Sequence, residues 1–234
     1  MIKPHERSKP HPARSRKPCA PSSTTGLDVF YPIVPDAKWI SRVVPLGVRT
    51  IQIRIKDASA HVVRSNLEQA LDICRAHDCQ LIINDYWQEA IKLKADFIHL
   101  GQEDLKSADV QAIKAQGLKL GISTHSEAEL ATALQAKPDY VALGPIYETK
   151  LKAMAFKPQG LQRVKQWKEL LGNIPLVAIG GITVERAPLV IKAGAQSVCA
   201  ITDFVNHKNP QRRIHEWLSW AQSVSKGRLH GNPH

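Results

Sequence analysis

Residues able to do chemistry cluster in a few short segments of this 234-residue chain. In "TIQIRIK", Thr50 to Lys56, an amide and two cations (Gln52, Arg54, Lys56) alternate with Ile51, Ile53 and Ile55, the period-two pattern of a strand with one apolar and one polar face. If the polar face met water, the segment would be an ordinary half-exposed strand. Turned inward, its polar groups would be desolvated at several kcal/mol apiece unless an anion met them. Further on, "LIIND" ends in Asn84 and Asp85, "FIHLGQED" carries His99 and Asp104, and "LGIST" ends in Ser123 with Thr124 and His125 beyond it. "YVALGPIYETKLK" opens into Thr149, Lys150 and Lys152, "AIGGI" holds Gly180 and Gly181, and a last apolar run ends at Ile201 and Thr202. Each has a bland explanation when taken singly: Asn-Asp as a turn, Gly-Gly as a tight bend, His99 as a satisfied core histidine. Taken together they describe one chemistry. Two carboxylates, Asp85 and Asp104, suit Mg2+ through oxygen ligands. Arg54, Lys56 and Lys152 suit a diphosphate, and the Gly-Gly turn with the last strand end suits a separate phosphate.

The elements that must position these residues follow a steady rhythm. Apolar runs at Phe30–Val34, Thr50–Ile55, Gln80–Ile83, Phe97–Leu100, Lys119–Ile122, Tyr140–Leu143, Pro175–Ile179 and Ser197–Ile201 each precede a stretch of helical spacing. In 61–76, Val62, Val63, Leu67, Ala70, Leu71, Ile73 and Cys74 gather on one side of a 3.6-residue repeat. Gly47, Gly117 and Gly194 follow periodic runs at helix C-terminal cap positions. Strand–helix alternation repeated eight times predicts a parallel sheet closed as a (β/α)8 TIM barrel over 27–224, with an open doubly wound sheet as the competitor. In a barrel, Ile51, Ile53 and Ile55 face the helices, while Gln52, Arg54 and Lys56 face inward and rise toward the C-terminal mouth. That mouth is where barrel active sites sit.

Composition sets the remaining bounds. No apolar run approaches the ~20 residues of a membrane span, and no secretory signal opens the chain, so a cytoplasmic protein without a membrane partner is expected. Cys19, Cys74, Cys79 and Cys199 are scattered with no Cys-x-x-Cys pair. This argues against a disulfide framework or zinc site and fits a reducing compartment. Net charge is +11, and residues 1–26, with six cations against Glu6 alone, carry five of it. That segment holds five prolines and no aromatic residue, and is expected to be a disordered basic tail. Residues 225–234 are expected to be a flexible C-terminal tail. A moderately basic body suits small phosphate and diphosphate substrates; nucleic acid is disfavoured except at the tail, and a homo-oligomer stays open.

The segments "QIRIK", "INDYW", "HLGQEDL", "GISTH", "LGPIYET" and "VAIGGI", in this order between Tyr31 and Thr202, together resemble the thiamine-phosphate synthase family. The resemblance implies a Mg2+-dependent transferase on a TIM barrel. It would join hydroxymethylpyrimidine diphosphate to thiazole phosphate, releasing pyrophosphate. By position, Gln52, Ile53, Arg54, Ile55, Lys56, Asn84, Ser123 and Lys152 would meet the pyrimidine diphosphate, with Ser123, Arg54 and Lys152 catalytic. Asp85 and Asp104 would hold Mg2+. Thr149, Lys150, Leu151, Gly181, Ile201 and Thr202 would meet the thiazole phosphate. His99 and His125 take supporting places. The family's loop reads Thr-x-Thr-Lys where this chain has Thr149-Lys150-Leu151-Lys152, and Glu148 and Asp203 add acids near the expected thiazole phosphate position. Two added acids predict a weakened anion site unless Lys150 or Lys157 compensates. Alternatives are a thiazole tautomerase-like paralogue using His125 for proton transfer, or a degenerate barrel that binds ligand or nucleic acid.

Overall fold

Residues 26–149 and 157–230 are described by the structure, a computed structural model. The elements run β1 (Phe30–Val34), α1 (Ala37–Val43), β2 (Thr50–Ile53), α2 (Ala60–Ala76), β3 (Gln80–Asn84), α3 (Trp87–Lys92), β4 (Phe97–Leu100), α4 (Gln102–Ser107) and α5 (Val110–Ala115). They continue β5 (Lys119–Thr124), α6 (Glu127–Gln135), β6 (Tyr140–Leu143), α7 (Gly160–Leu171), β7 (Leu176–Ile179), α8 (Ala187–Lys192), β8 (Ser197–Ala200), α9 (Thr202–Val205) and α10 (Pro210–His230). All strand pairs are parallel and in sequence order, and β1 closes on β8 with Tyr31 opposite Cys199. The competing open sheet is excluded by that closure.

Period-two alternation creates two apolar layers. Ile51 and Ile53 of β2 join the large core between barrel and helices, whereas Gln52 between them is buried on the opposite face. Tyr31, Ile33, Ile82, Phe97, Tyr140, Val177 and Cys199 fill the barrel interior, closed from below by Leu27. One inward position admits no side chain: a Cβ on Gly121 would overlap the Tyr140 ring of the neighbouring strand.

Helix chemistry follows the sequence with two differences. Ser59 caps α2 by accepting from the Val62 N–H, and Val63, Leu67, Ala70, Leu71 and Cys74 are buried. Val62 itself is exposed, although its neighbour Val63 is buried: adjacent residues point about 100° apart around the helix, and Val62 falls on the outer side. At the other end of the chain, α10 runs to His230, so 225–230 are helical rather than a loose tail. Phe30 stacks on Trp217 of α10 with centroids 4.3 Å apart, and the Arg228 Nη1–H donates to the Gln196 carbonyl at 3.2 Å. These contacts supply what composition alone did not reveal. Residues 1–25, expected to be disordered, lie outside the described residues.

Among the described residues no helix is long and apolar enough to cross a membrane. Cys74, Cys79 and Cys199 are buried free thiols.

Candidate active site

All eight strands deliver residues to one cavity of about 660 Å³ at their C-terminal ends, where side chains leave the packed interior. Gln52, Arg54 and Lys56 line it together with Asn84, Asp85, His99, Asp104, Ser123 and Thr149, and Gly180 and Ile201 form another stretch of its wall. The inward orientation expected of the β2 polar face is therefore present. Its burial is graded: Gln52 is buried, while Arg54 and Lys56 stand exposed in the mouth. The desolvation cost expected for all three falls on Gln52 alone in the free protein. The Arg54 N–H donates to the Val34 carbonyl at 2.8 Å, while its guanidinium has no hydrogen-bond or ion-pair partner among the described residues.

Asp85 follows β3 in a left-handed conformation, φ 68°, and its N–H donates to the His99 carbonyl at 2.9 Å. An aspartate tolerates this backbone better than most residues. Its carboxylate pairs with Lys56. Asp104 projects from the first turn of α4, and its carboxyl is held above the usual range by burial and then by the like charge of Asp85, with Lys56 opposing. Two interacting carboxylates thus share one lysine, an oxygen-rich, charge-deficient pair that fits a hard divalent cation.

A buried polar chain descends from the mouth into the barrel. His99 Nε2 lies 2.7 Å from the Ser123 Oγ, and His99 Nδ1 lies 2.9 Å from the Tyr140 hydroxyl. Burial, opposed by Asp85 and aided by Arg54, lowers the histidine to about 4, so the ring is neutral at physiological pH. Burial also raises the Tyr140 phenol, against hydrogen bonds from Tyr31 and Gln52. With Tyr140 donating to Nδ1, the remaining imidazole proton lies on Nε2 and points at Ser123 Oγ. The serine proton is then free for a ligand in the cavity. The Gln102 amide fixes the same residue by donating to the Ser123 carbonyl at 2.7 Å.

The β6 and β7 ends are bound to each other. Ile146 and Tyr147 N–H groups donate to the Ile179 and Gly180 carbonyls at 2.9 and 3.0 Å. Gly180 and Gly181 have φ of 98° and 63°, and a Cβ on Gly181 would come within 2.8 Å of the Tyr147 Cβ. Close backbone approach therefore requires glycine at both positions. Arg186 completes the join, lying 4.7 Å over the Tyr147 ring and donating to the Gly181 carbonyl at 2.8 Å.

Several expected site residues stand elsewhere. Ile53 and Ile55 belong to the helix-facing core, so only their backbone could reach a ligand. The cavity wall takes Gly180 rather than Gly181, and Ile201 rather than Thr202. Lys150, Leu151 and Lys152 lie outside the described residues. Glu148 is exposed and off the wall. Asp203, expected to press an acid on the anion position, instead gives both oxygens to Arg213 and one also to Trp217. Sequence reasoning missed Gln102, Glu103, Glu129 and Ile33 in the wall. Glu129 carried a signal: Ser126 and Glu129 have capping-box spacing, and the Glu129 carboxylate accepts from the His125 N–H at 2.6 Å while lying 2.9 Å from His125 Nδ1. That holds His125 as part of a helix start.

Residues 30–204 match the family described as thiamine monophosphate synthase. The chain belongs to that family. A thiamine-phosphate synthase of Rhizobium etli is 54% identical over 193 residues, 82% of this chain and 95% of that protein. One from Salmonella agona is 48% identical over 173 residues, 74% and 82% of the two chains. Among solved structures, thiamine phosphate pyrophosphorylase from Pyrococcus furiosus superposes with a TM-score of 0.73 at 25% identity, over 83% of this chain and 96% of that one. The thiamine monophosphate synthase match spans β1 to the start of α9 and thus every strand end lining the cavity; α10 falls beyond it.

Proposed function

We propose that this chain is a thiamine-phosphate synthase that joins hydroxymethylpyrimidine diphosphate to thiazole phosphate. The observation that carries this reading is the composition of one mouth: an unpaired Arg54, a Lys56–Asp85–Asp104 group and a glycine turn share a single cavity. In the proposed reaction the pyrimidine methylene–oxygen bond breaks and its electron pair leaves with pyrophosphate. The thiazole nitrogen lone pair then forms the new carbon–nitrogen bond. No protein nucleophile is required.

Asp85 and Asp104 would hold Mg2+, which supplies positive charge to the diphosphate when bound. Arg54 and Lys56 meet the same leaving group as fixed cations. Ser123, its proton freed by His99, donates to the pyrimidine or to the departing oxygen, and Asn84 and Gln52 orient the first substrate. Gly180, Gly181, Ile201 and Thr202 receive the monophosphate of the second substrate. Positioning and charge stabilisation, rather than acid–base catalysis, supply the rate. Lys152, outside the described residues, is assigned to the diphosphate on the family resemblance alone. Free thiols throughout the described residues suit a cytoplasmic enzyme.

The test is direct. Purified protein given both precursors and Mg2+ is expected to form thiamine phosphate and pyrophosphate in equal amounts, and chelation of the metal is expected to stop both. Absence of product at saturating substrates would overturn the assignment; turnover unaffected by chelator would overturn the metal role.

A further inference from the structure

The side chain of Arg213 in α10 is only 10% exposed and has an acceptor for each of its five N–H groups. Nε and Nη2 donate to Asp203 Oδ2 and Oδ1 at 2.8 and 2.9 Å. Nη1 and Nη2 donate to Glu185 Oε1 and Oε2 at 2.7 and 2.8 Å, and Nη1 also reaches Glu216 Oε2 at 2.8 Å. The Trp217 indole N–H donates to Asp203 Oδ2 at 2.7 Å. Hydrogen bonds from Arg213 hold Glu185 down to about 2, so this acid is charged throughout the neutral range.

Glu185 and Asp203 belong to the two segments that build one end of the mouth. Glu185 lies in the turn between β7 and α8, four residues beyond Gly181. Asp203 directly follows Thr202 in the first turn of α9. The planar guanidinium fork spans the two carboxylates bidentately, which fixes distance and orientation at once. It also commits the Asp203 charge to Arg213 and Trp217.

We propose that Arg213 is a positioning residue for the second substrate: by clamping Glu185 and Asp203, it holds the β7 and β8 ends at the separation that receives the thiazole phosphate. This rests on the assignment of that substrate to Gly180, Gly181, Ile201 and Thr202. Arg213 lies beyond residues 30–204, which match the family. The clamp therefore couples the C-terminal helix to the substrate edge.

Steady-state kinetics on the full chain, with each substrate varied, test the clamp. Asp203→Asn is the sharpest variant, because two physical pictures give opposite signs. If Asp203 only repelled the phosphate, removing its charge would lower the KM for thiazole phosphate. With the clamp, Asp203→Asn and Arg213→Lys raise that KM about 10-fold, since neither retains the doubly bidentate fork, and leave the KM for pyrimidine diphosphate within about 2-fold. Glu185→Gln, at a side chain 66% exposed and therefore safe for folding, raises the thiazole phosphate KM about 3-fold, a smaller loss because its amide still accepts. Ile113→Val, a remote core change, calibrates lost stability and should leave the ratio of the two KM values unchanged. A lowered thiazole phosphate KM in Asp203→Asn, or both KM values unchanged or moving together in Asp203→Asn and Glu185→Gln, would overturn the proposal. Wild-type protein that makes no thiamine phosphate would overturn the underlying assignment instead, before any variant is compared.

Discussion

Arg54, Asp85 and His99 face one cavity and carry three different electrostatic burdens. The Arg54 guanidinium has no hydrogen-bond or ion-pair partner among the described residues, so its charge is available to a leaving group. Asp85 has its own cation but sits against a second acid, which favours a metal ion over a bare pair. Arg54→Ala and Asp85→Ala are each expected to lower kcat/KM by at least ~10²-fold, the loss typical of a preorganised charge; rates near wild type in either would remove it from the diphosphate site. His99 is different in kind, because its neutrality is imposed by burial. Its folded pKa, about 4, lies below the ordinary 6.5. The unfolded chain therefore binds more protons between these values, and stability rises with pH across that window. The metal-free protein should lose roughly 3 kcal/mol of unfolding free energy as pH falls from 6.5 to 4, a shift of that size converted at 1.36 kcal/mol per unit. Denaturant melts of His99→Asn should show this slope flattened, and an unchanged slope would place the titration elsewhere.

Single strands pass their constraints to the site through their neighbours. Gly121 on β5 exists to admit the Tyr140 ring of β6, and that ring holds His99, which holds Ser123. Gly121→Ala should destabilise the barrel by about 1–3 kcal/mol through overpacking. Adding Tyr140→Leu should restore much of that stability while turnover stays low, because His99 loses its partner; recovery of both would show that the polar chain is dispensable. This coupling explains what sequence could and could not reveal. The strands were legible because an inward–outward alternation such as Ile51-Gln52-Ile53 reports the backbone directly. The strand ends were legible because polar residues recur at the same end of successive strands, a coincidence that turn chemistry, sufficient for each one singly, does not explain. Which side chain touches which was not legible, since Tyr140 meets His99 across two strands and Asp203 meets Arg213 only after the last helix folds back. A lone acid near an anion site reads as repulsive until its partner is placed.

At the scale of the molecule, charge is distributed so that binding of anions and catalysis need not share a source. Five of the eleven net positive charges belong to residues 1–26, while every residue assigned to the cavity lies at Ile33 or later. The described chain begins at Gly26, and Leu27 closes the base of the barrel, opposite to the mouth. Deleting residues 1–25 lowers the net charge from +11 to +6 and removes none of the described core residues. Turnover should then remain within about 2-fold of the full chain at 0.15 M salt, because every residue assigned to the cavity is retained and salt with a Debye length of about 8 Å weakens longer-range charge effects. Retention on immobilised RNA should fall sharply, and in the full chain it should weaken steeply with added salt, as phosphate contacts do. A large loss of kcat/KM on deletion would mean that the basic segment takes part in substrate capture. RNA retention undiminished by the deletion would locate the polyanion surface on the barrel, where it would compete with the diphosphate for Arg54 and Lys56.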